Sequence, residues 1–193
     1  LFSMEVSLTD DPATATLGAL GIAGDTDDFK APETTNRDRL MFARLMEHGD
    51  QELYTRARDY FLPDRYFEIL EGVLRSRKSG HSTMVASGGY IAEDEKDFLA
   101  RIANNLSRRT GTELLIVWAV VDESKVVVKA RTRDASKNLN EMLKKKFGES
   151  RAGAKTWAGG AEIKLDLKPS LSSRKVLLEY LESWMLDEFH IPR

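Results

Sequence analysis

The sequence predicts an α/β fold with a mixed (α+β) sheet, preceded by a segment that is helical throughout. Strand-like and helix-like patterns alternate in the second half of the chain. Residues 114–121 form an unbroken apolar run, which is typical of a central strand buried on both faces. Residues 13–74 show only helical periods, and residues 75–82 are basic and polar. We therefore predict two parts, residues 1–75 and residues 76–193.

Four helices are expected in the first part. Small apolar residues predict a closely packed first helix that ends at Gly24, and a polar loop follows it. Thr35 and Asp38 resemble a capping box that opens the second helix, which Gly49 ends. A short third helix is expected within residues 51–61. The fourth begins at Pro63-Asp64, and its inward face is predicted to consist of Phe67, Leu70 and Leu74.

The second part predicts strands separated by helices. Residues 114–121 and 125–131 are joined by a short turn and predict a hairpin. The apolar positions after Asp94 keep a period of 3.6, which predicts a helix. Gly148 closes a further helix. The other expected elements are strands 83–90 and 161–167 and a last helix capped by Ser172 or Ser173.

The composition sets limits on function. The chain has 193 residues, of which 41% are hydrophobic, and its net charge is −2. Bulk charge therefore predicts no affinity for nucleic acid or membranes, so an anion site has to be a local patch. No apolar run is long enough to span a bilayer, and the absence of cysteine fits a cytoplasmic protein. Because the first methionine is the fourth residue, we expect a piece of a longer protein.

An acidic turn follows the first helix. Asp25, Asp27 and Asp28 lie there, and carboxylates on a turn are hard-oxygen ligands that suit manganese or magnesium. A solvated acidic turn is the alternative interpretation. The three histidines lack ligand spacing, which disfavours a zinc site.

A basic strand end and a glycine-rich run predict a phosphate site. Arg131 and Arg133 are two residues apart, so both side chains can lie on one face, where guanidinium groups suit phosphate. An edge strand protected by charge is the alternative. Arg151 and Lys155 add positive charge within the run 151–160. Its backbone N–H groups near Gly153, Gly159 and Gly160 are expected to cradle an anion, although a tight bend explains the same pattern.

These motifs, in this order, resemble those of the DHH phosphoesterases over about residues 12–167. The small-residue helix followed by Gly21-Ile22 and Asp25-Thr26 is similar to the family's last metal motif. Lys129-Ala130-Arg131-Thr132 resembles its strand that ends in Arg-Ser. The glycine-rich run resembles its substrate motif, which contains a histidine where this chain has Ala154.

The resemblance implies the C-terminal part of a metal-dependent phosphoesterase. Residues 1–75 would end a DHH domain and include a linker helix, and residues 76–193 would form a DHH-associated domain that binds substrate. Asp25 would hold one of two manganese or magnesium ions in the intact protein. The expected substrates are short oligonucleotides, nucleotides or polyphosphate. The family's Asp-His-His signature and first aspartate motifs are absent from this chain, so we expect the chain alone to be inactive.

Two other functions fit the same residues. A non-catalytic module could bind nucleic acid or a nucleotide, and the replacement of the family's histidine by Ala154 favours this alternative. An interaction domain could instead use the helices between residues 37 and 74 to pack on a partner. The sequence leaves a homodimer open.

Overall fold

The computed structural model describes residues 11–31, 33–59, 61–134, 136–165 and 173–192. The chain divides into two compact units, with the boundary between Phe61 and Leu62. The fourth helix therefore groups with the second unit, whereas the sequence analysis placed the division after it, at residue 75. The assignment of these units to the two named domains stays a prediction.

The first unit contains three described helices, α1 (Pro12–Asp25), α2 (Asn36–His48) and α3 (Gln51–Arg58). Its small core joins Ala15 and Ala19 of α1 to Leu45 of α2. The Thr16 hydroxyl donates to the carbonyl of Pro12 at 2.7 Å and accepts from the amide of Asp50 at 2.8 Å. The predicted capping box at the start of α2 is present.

The second unit is built on one mixed sheet of six strands. The strand order is β1-β2-β3-β4-β6-β5, and β2 and β3 are the parallel pair. The strands are β1 (Lys78–Gly80), β2 (Thr83–Ile91), β3 (Leu114–Val121), β4 (Lys125–Thr132), β5 (Ala152–Ala154) and β6 (Ala158–Lys164). The helices are α4 (Asp64–Ser76), α5 (Lys96–Arg109), α6 (Leu139–Phe147) and α7 (Arg174–Glu188).

Helices cover the two faces of this sheet. We call the side of α4 and α5 the first face and the side of α6 and α7 the second face. All eight residues of β3 are buried, as the apolar run predicted, because alternate residues enter the cores on opposite faces. In β4, Val127 enters the core of the first face, whereas Val126, Val128 and Ala130 enter that of the second. This alternation determines on which face each remaining side chain of β4 lies.

The fold corrects two predictions of detail. The buried side of α4 consists of Tyr66, Ile69 and Val73, and the predicted inward residues Phe67 and Leu74 are exposed. Helix α4 carries two overlapping apolar stripes, and the sequence analysis chose the wrong one. Strand β1 was also missed, because its three residues include no apolar side chain. The predicted strand 161–167 runs from Ala158 to Lys164, and its last two predicted residues lie outside the described part of the chain.

Candidate functional site

Strand β4 places cations on the first face of the sheet. Lys129 and Arg131 alternate with Val128 and Ala130, whose side chains lie in the core of the second face. Both cations are half-buried beside α5. Arg133 follows the end of the strand on the same side and is exposed, with its guanidinium 3.5 Å from the carbonyl of Thr110. The predicted placement of Arg131 and Arg133 on one face is therefore observed.

The glycine-rich run forms a β-hairpin and not an open corner. Lys155 N–H donates to the carbonyl of Ala158 at 2.9 Å. Hydrogen-bonded pairs alternate along an antiparallel ladder, so the next such pair is Gly153 with Gly160. Gly159 occupies the equivalent position opposite β4. The N–H groups of all three glycines thus serve the sheet, and the cradle of free backbone N–H groups that the sequence suggested is not formed there.

At Gly159 and Gly160 the missing side chain allows close packing. A Cβ on Gly159 would lie 2.8 Å from Cδ1 of Leu143 and would overlap Ala154, so α6 packs directly against the hairpin. A Cβ on Gly160 would overlap the carbonyl oxygen of Val128. A Cβ on Gly153 would meet nothing within 4 Å. Because Gly153 and Gly160 carry no side chains, no side chain rises from the sheet at these two positions on the first face, and we call this part of the hairpin the low surface.

Cations line both sides of this low surface. Directly paired residues of neighbouring strands share a face, and strands lie about 4.8 Å apart. The pairing therefore puts the hairpin cations on the same face as the β4 cations, about 10 Å away across β6. The rows that cross β4, β6 and β5 are Arg131–Ala158–Lys155, Lys129–Gly160–Gly153 and Val127–Glu162–Arg151. We define the basic face as Lys129, Arg131, Arg151 and Lys155 around the floor of Gly153, Ala158 and Gly160.

Arg131 is held by neutral partners. Its Nε donates to Oδ1 of Asn104 on α5 at 2.5 Å, and its Nη1 donates to the carbonyl of Ala130 at 2.7 Å. Burial, together with a smaller effect of the nearby charge of Arg108, lowers the pKa of Arg131 to about 10. The guanidinium is therefore a half-buried cation whose two hydrogen-bond acceptors, the Asn104 amide and the Ala130 carbonyl, carry no negative charge.

Lys129 has an electrostatic environment similar to that of Arg131. Burial lowers the pKa of Lys129, and the charges of Arg131 and Lys96 add to this effect. The carboxylates of Glu162 and Asp97 oppose it. Glu162 is already paired with two other lysines, since its carboxylate lies 3.2 Å from Lys125 Nζ and 3.5 Å from Lys96 Nζ. Within the described residues, Lys129 forms neither a hydrogen bond nor an ion pair. Positive charge thus accumulates on the basic face, and among the described residues neither Lys129 nor Arg131 forms an ion pair with the carboxylates nearby.

The sequence analysis assigned no role to Lys129, Asn104 and Arg108. For Lys129 the sequence did contain a signal. The strand has cations at Lys125, Lys129 and Arg131, which are separated by even numbers of positions and so lie on one face, while most of its other residues are apolar. For the two residues of α5 no signal existed, since only the packing of α5 on β4 brings them to Arg131. Arg151 and Lys155 are exposed at the two ends of β5.

The acidic turn of the first unit is tightly held. Asp27, Asp28 and Phe29 have φ values of 51°, 55° and 61°, a left-handed conformation that bulky residues rarely adopt. Edge-to-face packing of the Phe29 ring on Phe42, with centroids 5.1 Å apart, fixes this turn. Asp28 pairs with Arg58 and lies 3.7 Å from Lys30, so its carboxylate already has partners. Asp25, the last residue of α1, is exposed.

Comparisons with known proteins address the fold. No family model matches the sequence. The chain is 26% identical over 182 residues to the uncharacterized protein MJ1633 of Methanocaldococcus jannaschii, covering 94% of this chain and 37% of that protein. It superposes on an exopolyphosphatase-related protein of Bacteroides fragilis with a TM-score of 0.61 and 13% identity, covering 88% of this chain and 49% of that one. This chain has the fold of that exopolyphosphatase-related protein, which agrees with the resemblance to the DHH phosphoesterases that the sequence predicted. It spans half or less of the length of each of these two proteins.

Ala154, at the position where the resemblance expects a histidine, lies on the opposite face of the sheet from the basic face. The Ala154 side chain packs toward the core of the second face, and its N–H donates to Oδ1 of Asn140 at 3.0 Å. Its neighbour Lys155 instead belongs to the row of Arg131. Lys155 therefore lies on the basic face, whereas the side chain of residue 154 does not.

The described residues of this chain supply at most part of a metal site. Asp25 has the hard-oxygen chemistry of a manganese or magnesium ligand, but a single carboxylate cannot complete the coordination of either ion. Among the described residues, no group of three or more His, Cys, Asp or Glu side chains could hold a metal ion. The residues present do not fit a complete metal centre, and no chemical step follows from them. No helix in the described ranges is long and apolar enough to cross a membrane.

Proposed function

We propose that this chain is the C-terminal part of a metal-dependent phosphoesterase and that its second unit binds a phosphate group of the substrate on the basic face. The reaction is hydrolysis of a phosphodiester or phosphoanhydride bond. The manganese or magnesium ions belong to the intact protein, where Asp25 supplies one oxygen ligand and other parts of the protein supply the rest.

One observation carries this proposal: the half-buried cations Arg131 and Lys129 share the basic face, and among the described residues neither forms an ion pair. Cationic side chains removed from water lose favourable hydration, so their pKa values fall unless an opposite charge compensates. A phosphate group would supply that charge to Arg131 and Lys129. Each charge-assisted hydrogen bond formed in this way contributes about 1.5–3 kcal/mol.

The remaining residues of the basic face have supporting roles. The low floor admits a ligand close to the sheet, because neither Gly153 nor Gly160 carries a side chain. Arg151 and Lys155 are exposed, so they contribute attraction at longer range and less energy per contact. Arg133 is equally exposed and adds to the positive potential near the strand end.

The substrate belongs to one of three phosphate-bearing classes: short 5′-phosphorylated oligonucleotides, nucleotides or polyphosphate. All three present a phosphate that Arg131 can bind. The match to an exopolyphosphatase-related protein concerns the fold and does not select among them.

Hydrolysis by the intact parent protein with manganese tests the proposal. The variant Arg131→Gln keeps the length of the side chain but removes its charge, and we expect kcat/KM to fall about 10- to 100-fold. Arg77→Gln is the matched control, because Arg77 is an exposed arginine beside β1, at the opposite edge of the sheet. If Arg131→Gln and the unsubstituted protein have the same kcat/KM for each of the three substrate classes, the proposal is refuted.

A binding module without catalysis is the second candidate. It is favoured by the location of the whole basic face within the second unit, which needs no metal to hold an anion. Anion binding by the chain, together with absence of turnover by the intact parent in manganese and in magnesium, would select this function.

A further inference from the structure

Helix α4 has an apolar stripe that the second unit leaves exposed. Its inner side is buried against the sheet through Tyr66, Ile69 and Val73. A second stripe runs along the neighbouring side of the helix at positions i, i+3 and i+7. In this stripe Phe67 is 53% exposed, Leu74 is 38% exposed and Leu70 is partly buried. Solvent-exposed apolar residues in a continuous row on one helix are typical of a contact surface.

Charge along α4 is divided between its two ends. Asp64, Glu68 and Glu71 lie in the N-terminal two turns, and all three are exposed. Arg75 lies in the last turn, where it forms an exposed ion pair with Glu71, and Arg77 and Lys78 follow it. Arg65 also lies near the N-terminal end, but it is paired with Glu68 and Glu95. A helix with this distribution complements a copy of itself that runs in the opposite direction.

We propose that the exposed stripe of α4 is the contact of a symmetric homodimer, in which α4 packs antiparallel on the same helix of a second copy. A two-fold axis makes such a contact self-complementary. If the axis passes between Leu70 and Glu71, Phe67 lies opposite the partner's Leu74. Asp64 and Glu68 then lie within about one helical turn of the partner's Arg75, on the same side of the stripe.

The size of the contact predicts weak association. Helix α4 has 13 residues, which is about 20 Å of length, and one helix pair buries less than the roughly 1,000 Å² expected of a stable interface. Self-association should therefore require high protein concentration. It should also weaken as salt rises, because exposed ion pairs contribute part of the attraction.

Sedimentation velocity of the 193-residue chain over a wide concentration range tests this contact. We expect a monomer–dimer equilibrium that Phe67→Ser weakens about tenfold or more. Leu40→Ser is the matched control, because Leu40 is 55% exposed on α2 of the first unit. A chain that stays monomeric at all concentrations, or a dimer that Phe67→Ser leaves unchanged, would overturn the proposal and leave the stripe to another occupant.

A charge swap distinguishes the antiparallel arrangement from other dimers. Asp64→Arg and Arg75→Asp should each weaken the dimer, because each places like charges together across the two-fold axis. The double variant Asp64→Arg/Arg75→Asp should restore the affinity of the unsubstituted chain. Circular dichroism confirms that each variant keeps its helix content. A double variant as weak as the singles would overturn the antiparallel contact.

Discussion

Asn104 orients Arg131 without neutralising it. The side-chain oxygen of Asn104 accepts a hydrogen bond from Nε of Arg131 at 2.5 Å, which fixes the plane of the guanidinium. Because the acceptor is an amide, the full positive charge of Arg131 remains available on the basic face. A carboxylate at residue 104 would hold the same geometry but would compensate that charge from within.

Asn104→Asp should therefore stabilise the protein and weaken phosphate binding. The new carboxylate forms an ion pair with Arg131, which raises the melting temperature, and it repels an incoming anion. We expect about a tenfold loss of affinity for phosphate, measured by calorimetry, together with the rise in melting temperature. Asn105→Asp is the control, because it makes the same change one residue away on an exposed side chain that contacts Tyr66. Equal phosphate affinity in the two variants would show that Asn104 does not act through Arg131.

Lys129→Met should likewise stabilise the protein and weaken phosphate binding. The folded state lowers the pKa of Lys129, so the unfolded state binds this proton more readily and the charge destabilises the fold at neutral pH. Replacing it should raise the free energy of unfolding by about 0.5–2 kcal/mol and weaken phosphate binding. The gain over the unsubstituted protein should shrink as pH rises through the pKa of the folded state toward that of the unfolded state.

Chemical denaturation at several pH values, with and without phosphate, measures this effect. Lys125→Met is the control on the same strand, because Lys125 lies 3.0 Å from Glu93 and 3.2 Å from Glu162 and should lose stability when replaced. The same sign of stability change in both variants would contradict our account of Lys129.

Gly159→Ala and Gly153→Ala should separate packing from binding. A methyl group on Gly159 collides with Ala154 and Leu143, so we expect a loss of about 1–3 kcal/mol in unfolding free energy. A methyl group on Gly153 meets open space and should change that free energy by no more than about 0.5 kcal/mol. Because Gly153 is part of the floor, its variant should still reduce phosphate affinity. Thermal denaturation and calorimetry of both variants provide the comparison, and unchanged affinity in Gly153→Ala would remove the hairpin from the site.

Asp25→Asn should abolish turnover of the intact parent without affecting folding. Asp25 is exposed at the end of α1, so its replacement removes a metal ligand and little else. Arg58→Gln is the contrasting variant, because it removes the partner of Asp28 and should cost about 0.5–1 kcal/mol of unfolding free energy. Hydrolysis with manganese and the melting temperature are measured for both. Normal turnover by Asp25→Asn would exclude this residue from the metal centre.

Much of the fold could be predicted from local patterns. The apolar run of β3 predicted a strand buried on both faces, and Thr35 with Asp38 predicted the start of α2, because both signals depend only on neighbouring residues. The orientation of α4 could not be predicted in this way. Phe67 and Ile69 belong to two stripes of similar apolar character, and only packing against the sheet decides which stripe is buried.

The residues of the candidate site were predicted only where a local pattern marked them. Arg131 was found from the strand pattern, and the sequence cannot show that Asn104 approaches it, since 27 residues separate the two. The glycine run was expected to leave free N–H groups, because glycines favour turns. Their use inside strands follows from close contacts with Leu143 and Val128, which come from distant parts of the chain.

Calorimetric titration of the chain with a 5′-phosphorylated dinucleotide at low salt tests the central claim most directly. We expect the unsubstituted chain and Arg77→Gln to bind with equal affinity and Arg131→Gln to bind at least about tenfold more weakly. Equal binding by all three proteins, or no binding by the unsubstituted chain, would contradict the assignment of the basic face as a phosphate site.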